Sequence, residues 1–108
     1  MAKLMRSVHE NFDTLLRRVT DGILESSISA SLEDSCDWRA AESRCSVRVF
    51  ERYSYFGSNR VSMSVTLFQA GNGPVQLCAI TSGGSQAVFF KMNTIGEESF
   101  LETLERLL

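Results

Sequence analysis

Cys45 to Met92 reads CSVRVFERYSYFGSNRVSMSVTLFQAGNGPVQLCAITSGGSQAVFFKM, a period-two apolar pattern broken by three turn signals, Gly57-Ser58-Asn59, Gly71-Asn72-Gly73-Pro74 and Gly83-Gly84. Alternation sends successive side chains to opposite faces of a strand, and the glycine-rich breaks reverse its direction. The stretch therefore predicts an antiparallel meander.

The periodicity changes on either side of it. Ala2, Leu4 and Val8 alternate weakly, which predicts a short first strand over residues 2 to 8. Phe12, Leu15, Leu16, Val19 and Ile23 then recur at three and four residues, the stripe of an amphipathic helix. Asn11 stands where it can cap that helix, and Asp13 lies in the first turn, where the helix dipole favours an acid. Gly22 costs about 1 kcal/mol relative to alanine, so the last turn is expected to fray near Ser26. Ile28, Ala30 and Leu32 alternate with serines as a second strand. Residues 33 to 43 are polar apart from Trp38 and two alanines and read as a loop. After the meander, Thr94 and Glu97 stand at capping-box spacing ahead of the stripe Phe100, Leu101, Leu104, Leu107 and Leu108. The expected architecture is an α+β fold in the order β-α-β-β-β-β-β-α. It has an antiparallel meander sheet of five to six strands and two helices on one face.

The 108 residues make one domain, 1–108, of ordinary globular composition, 44% hydrophobic and 22% charged. A net charge of −2 provides no basic field for the phosphates of nucleic acid or for anionic lipid. No apolar run spans a bilayer and the N-terminal residues lack a signal-peptide core, so a cytoplasmic protein without nucleic-acid or membrane partners is expected. Cys36, Cys45 and Cys78 match neither a disulfide framework nor a C-x-x-C pair, which predicts free thiols. His9 is the one histidine, and the acidic residues Glu33, Asp34 and Asp37 lack the spacing of a calcium loop. No metal and no cofactor is expected.

A three-residue loop at Gly57, Ser58 and Asn59 pairs Tyr55 with Val61, Tyr53 with Met63, Glu51 with Val65 and Val49 with Leu67 on the core face. The other face then pairs Ser54 with Ser62, Arg52 with Ser64 and Phe50 with Thr66. The Gly83-Gly84 hairpin puts Val75, Leu77 and Ala79 with Val88, Phe90 and Met92 on the core face, and Cys78, Ile80, Ala87 and Phe89 on its reverse. That reverse face carries an apolar centre of Phe50, Phe68, Ile80 and Phe89, bordered by Arg48 and Arg52. Large exposed apolar patches mark interfaces.

The segments Val49-Phe50-Glu51-Arg52-Tyr53, Asn59-Arg60-Val61-Ser62, Ile80-Thr81-Ser82-Gly83-Gly84-Ser85 and Gly96-Glu97-Glu98-Ser99-Phe100 resemble a family of small bacterial proteins of unknown function, over nearly the whole chain. The resemblance implies a bacterial, cytosolic, single-domain protein. It carries over no activity, cofactor or catalytic residue.

Three functional readings follow, in order of preference. The first is a non-enzymatic association domain, most simply a homodimer, built on Arg48, Phe50, Arg52, Phe68, Ile80 and Phe89. The second is a binding module for a small apolar or amphipathic ligand between sheet and C-terminal helix, with Glu51, Tyr53 and Tyr55 as its polar contacts. The third is a small enzyme that uses a buried Glu51 as its base.

Overall fold

A computed structural model describes residues 1–54, 59–83 and 90–108, with side chains in the last segment from residue 96 onward. Its elements are β1 (Ala2–Val8), α1 (Phe12–Glu25), β2 (Ser31–Ala40), β3 (Ser43–Ser54), β4 (Asn59–Ala70), β5 (Val75–Gly83) and α2 (Phe90–Glu105). The strands form one antiparallel sheet in the order β1-β5-β4-β3-β2, the α+β meander that the alternation predicts. β1 joins it at the far edge by pairing along its whole length with β5, from Ala2 opposite Thr81 to Val8 opposite Val75.

Both helices bury their stripes on the same side of this sheet. Asn11 caps α1 by accepting a hydrogen bond from the Thr14 N–H at 3.0 Å, and Phe12, Leu15, Val19 and Ile23 are buried. They meet Val61, Met63, Val65 and Leu67 of β4, Val75, Leu77 and Ala79 of β5, Phe50 of β3, and Phe100 and Leu104 of α2 in one core. Gly22 does not weaken this arrangement. A Cβ there would stand 2.5 Å from Leu107 Cδ2, so the glycine is the seat on which the C-terminal turn rests. The Arg18 Nε–H closes the same junction by donating to the Leu107 carbonyl at 2.8 Å. Gly96 lets α2 approach the sheet equally closely, since a Cβ there would lie 2.5 Å from Ser54 Oγ and 3.4 Å from Val61 Cγ2.

Four expectations are corrected. Residues 33 to 40 are not loop but most of the edge strand β2, whereas Ile28 and Ala30 precede it and Ile28 is fully exposed. Apolar alternation is missing there because almost every β2 side chain is exposed, and the strand is held by backbone pairing to β3. α2 starts at Phe90, so Thr94 lies within the helix rather than at its cap. The carboxylate of Glu97 instead accepts from the Gly83 N–H at 3.1 Å and sits 2.7 Å from the Met1 ammonium. The stretch read as a strand through Met92 is helical from Phe90, and residues 84–89, with Gly84 and Phe89, fall outside the described segments, as do Tyr55 and the Gly57-Ser58 turn.

The register of β3 on β4 is the fourth correction. Ser54 pairs with Asn59, Arg52 with Val61, Glu51 with Ser62 and Phe50 with Met63, which shifts the expected pairing by an odd number of residues. An odd shift exchanges the faces of the whole strand. Phe50 enters the core, fully buried, and Glu51 turns outward. The exchange exploits the strongest physical contrast in β3, because it buries an aromatic ring and spares the burial of an unpaired carboxylate.

Leu104 is fully buried, so Leu104→Ala should cost about 2–5 kcal/mol in denaturant melts. Gly96→Ala should also destabilise, even though alanine favours the helix by about 1 kcal/mol, because the close approach to Ser54 has to open.

Candidate functional site

With both helices on one side, no described element covers the other face of the sheet, and the register assigns its residues row by row. The first row runs Trp38, Cys45, Phe68, Gln76 and Ser7 from β2 to β1, and the second runs Cys36, Val47, Thr66, Cys78 and Met5. The third is Asp34, Val49, Ser64, Ile80 and Lys3, and beyond it Ser31, Glu51, Ser62 and Ser82 make a polar end. Met5 is 63% exposed, Trp38 58%, Phe68 43% and Ile80 42%. These four therefore stand in solvent on a surface whose two central rows hold a single formal charge at each edge, Lys3 and Asp34. All three cysteines are free and lie on this face.

The polar end is knitted together. Arg60 donates from Nε to Glu51 Oε1 at 2.8 Å and from Nη2 to the Ser29 carbonyl at 3.1 Å, and the Ser62 and Ser82 hydroxyls are 2.9 Å apart. A depression of about 340 Å³ opens between Met5, Thr66, Phe68 and Cys78.

The residues singled out from sequence distribute unevenly. Phe68 and Ile80 lie on the open face as expected. Phe50 is in the core and is corrected as an interface residue, because a ring with no exposed surface cannot meet a partner. Arg48 and Arg52 face the helices instead: Arg48 pairs with Asp37 at 3.0 Å, and Arg52 lies 4.4 Å over the Phe100 ring. Glu51 and Tyr53 turn to the open face, where Glu51 is one-third exposed and paired with Arg60. Tyr55 and Phe89 fall outside the described residues.

The sequence pattern does not place Met5 on this face, and it sets Trp38 in a loop, as an aromatic that either pins that loop to the domain or anchors a partner, whereas Trp38 stands on the edge strand β2. The signal for Trp38 was present in its two-residue spacing from Cys36, but only the pairing of β2 on β3 gives that spacing meaning. β2 is fastened from the helix side, where the Asp37 carboxylate accepts from Ser46 Oγ at 2.6 Å and from Arg48. These hydrogen bonds, the one from Ser46 first, hold Asp37 below the usual carboxylate range.

These features define a class, the one-sided α+β domain, in which a helix layer covers one face of an antiparallel meander and no described element covers the other. Within it, residues 1–108 match the family of unknown function DUF6054 throughout, and the chain belongs to that family. No curated protein and no solved structure matches it. Among the described residues no helix is long and apolar enough to cross a membrane, and no group of three or more metal-ligating side chains occurs.

Because the folded Asp37 pKa is lowered, its contribution to stability is complete above the ordinary carboxylate range and is lost as pH falls through the folded value. Asp37→Asn should therefore lower the melting temperature at neutral pH, and the gap to wild type should close as the pH drops below about 4.

Proposed function

We propose that this protein acts by self-association, as a homodimer that packs open face on open face. The observation that carries the reading is the run of solvent-exposed Met5, Trp38, Phe68 and Ile80 on a sheet face covered by neither helix. A five-stranded face is about 20 Å across, and its paired length of seven to twelve residues adds about 25–40 Å. The resulting patch approaches the roughly 800 Å² per partner that stable complexes bury.

The row order favours one arrangement. The sheet is apolar at one end and polar at the other, so a two-fold axis across the strands would press Phe68 and Trp38 against Glu51 and Ser62. An axis along the central strand β4 keeps like rows together. Phe68 then faces its own copy, Cys78 faces Val47, Ile80 faces Val49, and Lys3 of one subunit lies over the side of the face where the other carries Asp34. Aligned packing of this kind is the ordinary way in which two twisted sheets bury their faces. A cytoplasmic setting belongs to the same proposal, since three free thiols on the buried surface suit a reducing compartment.

Sedimentation velocity should show a dimer at micromolar concentration. Phe68→Arg should give folded monomers with unchanged circular dichroism. Lys3→Asp should weaken the dimer, and adding Asp34→Lys should restore it. A wild-type chain that is monomeric at high micromolar concentration contradicts the proposal.

A further inference from the structure

Arg52 occupies an unusual position among the arginines. Arg6, Arg18, Arg44, Arg48 and Arg60 each meet a carboxylate, and Arg17, Arg39 and Arg106 are exposed. Arg52 is partly buried on the helix side of β3, and its partners are all neutral. Its Nη1 donates to Thr103 Oγ1 at 3.1 Å, its Nη2 donates to Ser99 Oγ at 3.2 Å, and its guanidinium lies 4.4 Å from the Phe100 ring centroid. Every Asp and Glu of the chain lies within the described residues, and none forms an ion pair with it.

A cation withdrawn from water without a counter-ion is costly. The hydroxyls and the ring offset part of that cost, but they use only two of the five N–H donors of the guanidinium. Arg52 borders a cavity of about 230 Å³ at the junction of the C-terminal end of α1, the end of β3 and the middle of α2. Ser26, Ser27, Tyr53, Ser54, Gly96 and Ser99 are among its other lining residues, and no acid is among them.

We propose that this cavity is a binding site for a small oxyanion, the carboxylate or phosphate group of a ligand of a few heavy atoms. Arg52 supplies the charge and the planar donors, and the Ser99 and Thr103 hydroxyls hold the guanidinium in position. The planar fork of arginine matches such anions in pairs of hydrogen bonds, and the cavity is smaller than those that hold drug-sized molecules. Burial, followed by the charge of Arg106, lowers the Arg52 pKa, as expected for a cation that lacks its counter-ion. The site is on the opposite side of the sheet from the open face and does not depend on self-association.

The test is an amide-shift titration of the ¹⁵N-labelled protein with sodium acetate and, separately, with sodium phosphate, at ionic strength held constant with chloride. At least one anion should give saturable shifts at Arg52, Tyr53 and Ser99 below about 50 mM, and the anion with the larger response identifies the group. Ser99→Asp puts a carboxylate where the Ser99 hydroxyl meets the guanidinium. It should abolish the response and raise the melting temperature. Arg52→Met should be silent while retaining the helical circular dichroism, and Ser99→Asp decides the matter if that variant fails to fold. No saturable shift from either anion in the wild type, or a response unchanged in Ser99→Asp, overturns the proposal.

Discussion

The structure depends on helix coverage of only one side of the sheet. Two helices with single apolar stripes cannot wrap both faces of five strands, and α1 and α2 are locked onto the same one by contacts between themselves. Leu107 packs on Gly22, and Arg18 reaches the Leu107 carbonyl. Apolar burial is non-directional, but a helix stripe has one direction, so the core collects on that side and includes Phe50 from β3. The bare face is the other half of the same arrangement.

The two sides of the sheet carry different chemistry as a result. On the helix side, charge appears at the margins, where Asp37 meets Ser46 and Arg48 and Asp13 meets Arg44, and at Arg52, whose contacts are hydroxyls and an aromatic ring. On the open side, charge is confined to the polar end and the two edges, and between them Cys45, Val47, Val49, Phe68, Cys78 and Ile80 stand beside the neutral side chains of Ser64, Thr66 and Gln76. Edge strands left unprotected invite indiscriminate pairing, and β2 guards against it with Glu33, Asp34, Asp37 and Arg39 in a strand of ten residues. Charged edges around an apolar centre favour face-to-face packing over edge-to-edge growth.

Much of this was legible in the sequence. The alternation of β4 and β5 assigned Val61 to Leu67 and Val75 to Ala79 to the core, and Phe68, Cys78 and Ile80 to the reverse, because on those strands every second residue is strongly apolar. β3 has no such bias: Val47, Val49 and Tyr53 compete with a single Phe50, so its face follows from pairing rather than pattern. The expected turn length then reversed the whole strand, exchanging Glu51 for Arg52 and hiding the Arg52 cavity. β2 was illegible for another reason, since a strand exposed on both sides has no apolar period to display. Gly22 illustrates a third limit, because propensity registers the cost of a glycine in a helix but not the side chain packed against it from eighty-five residues away.

Trp38 is the single tryptophan and stands exposed on the open face, so its fluorescence reports directly on whether that face is covered. If a second copy covers it, the emission maximum should move to shorter wavelength as the protein is concentrated from the nanomolar to the high micromolar range, in step with the measured mass. An emission maximum that stays at the solvent-exposed position across that range, while the mass remains that of one chain, would contradict the account.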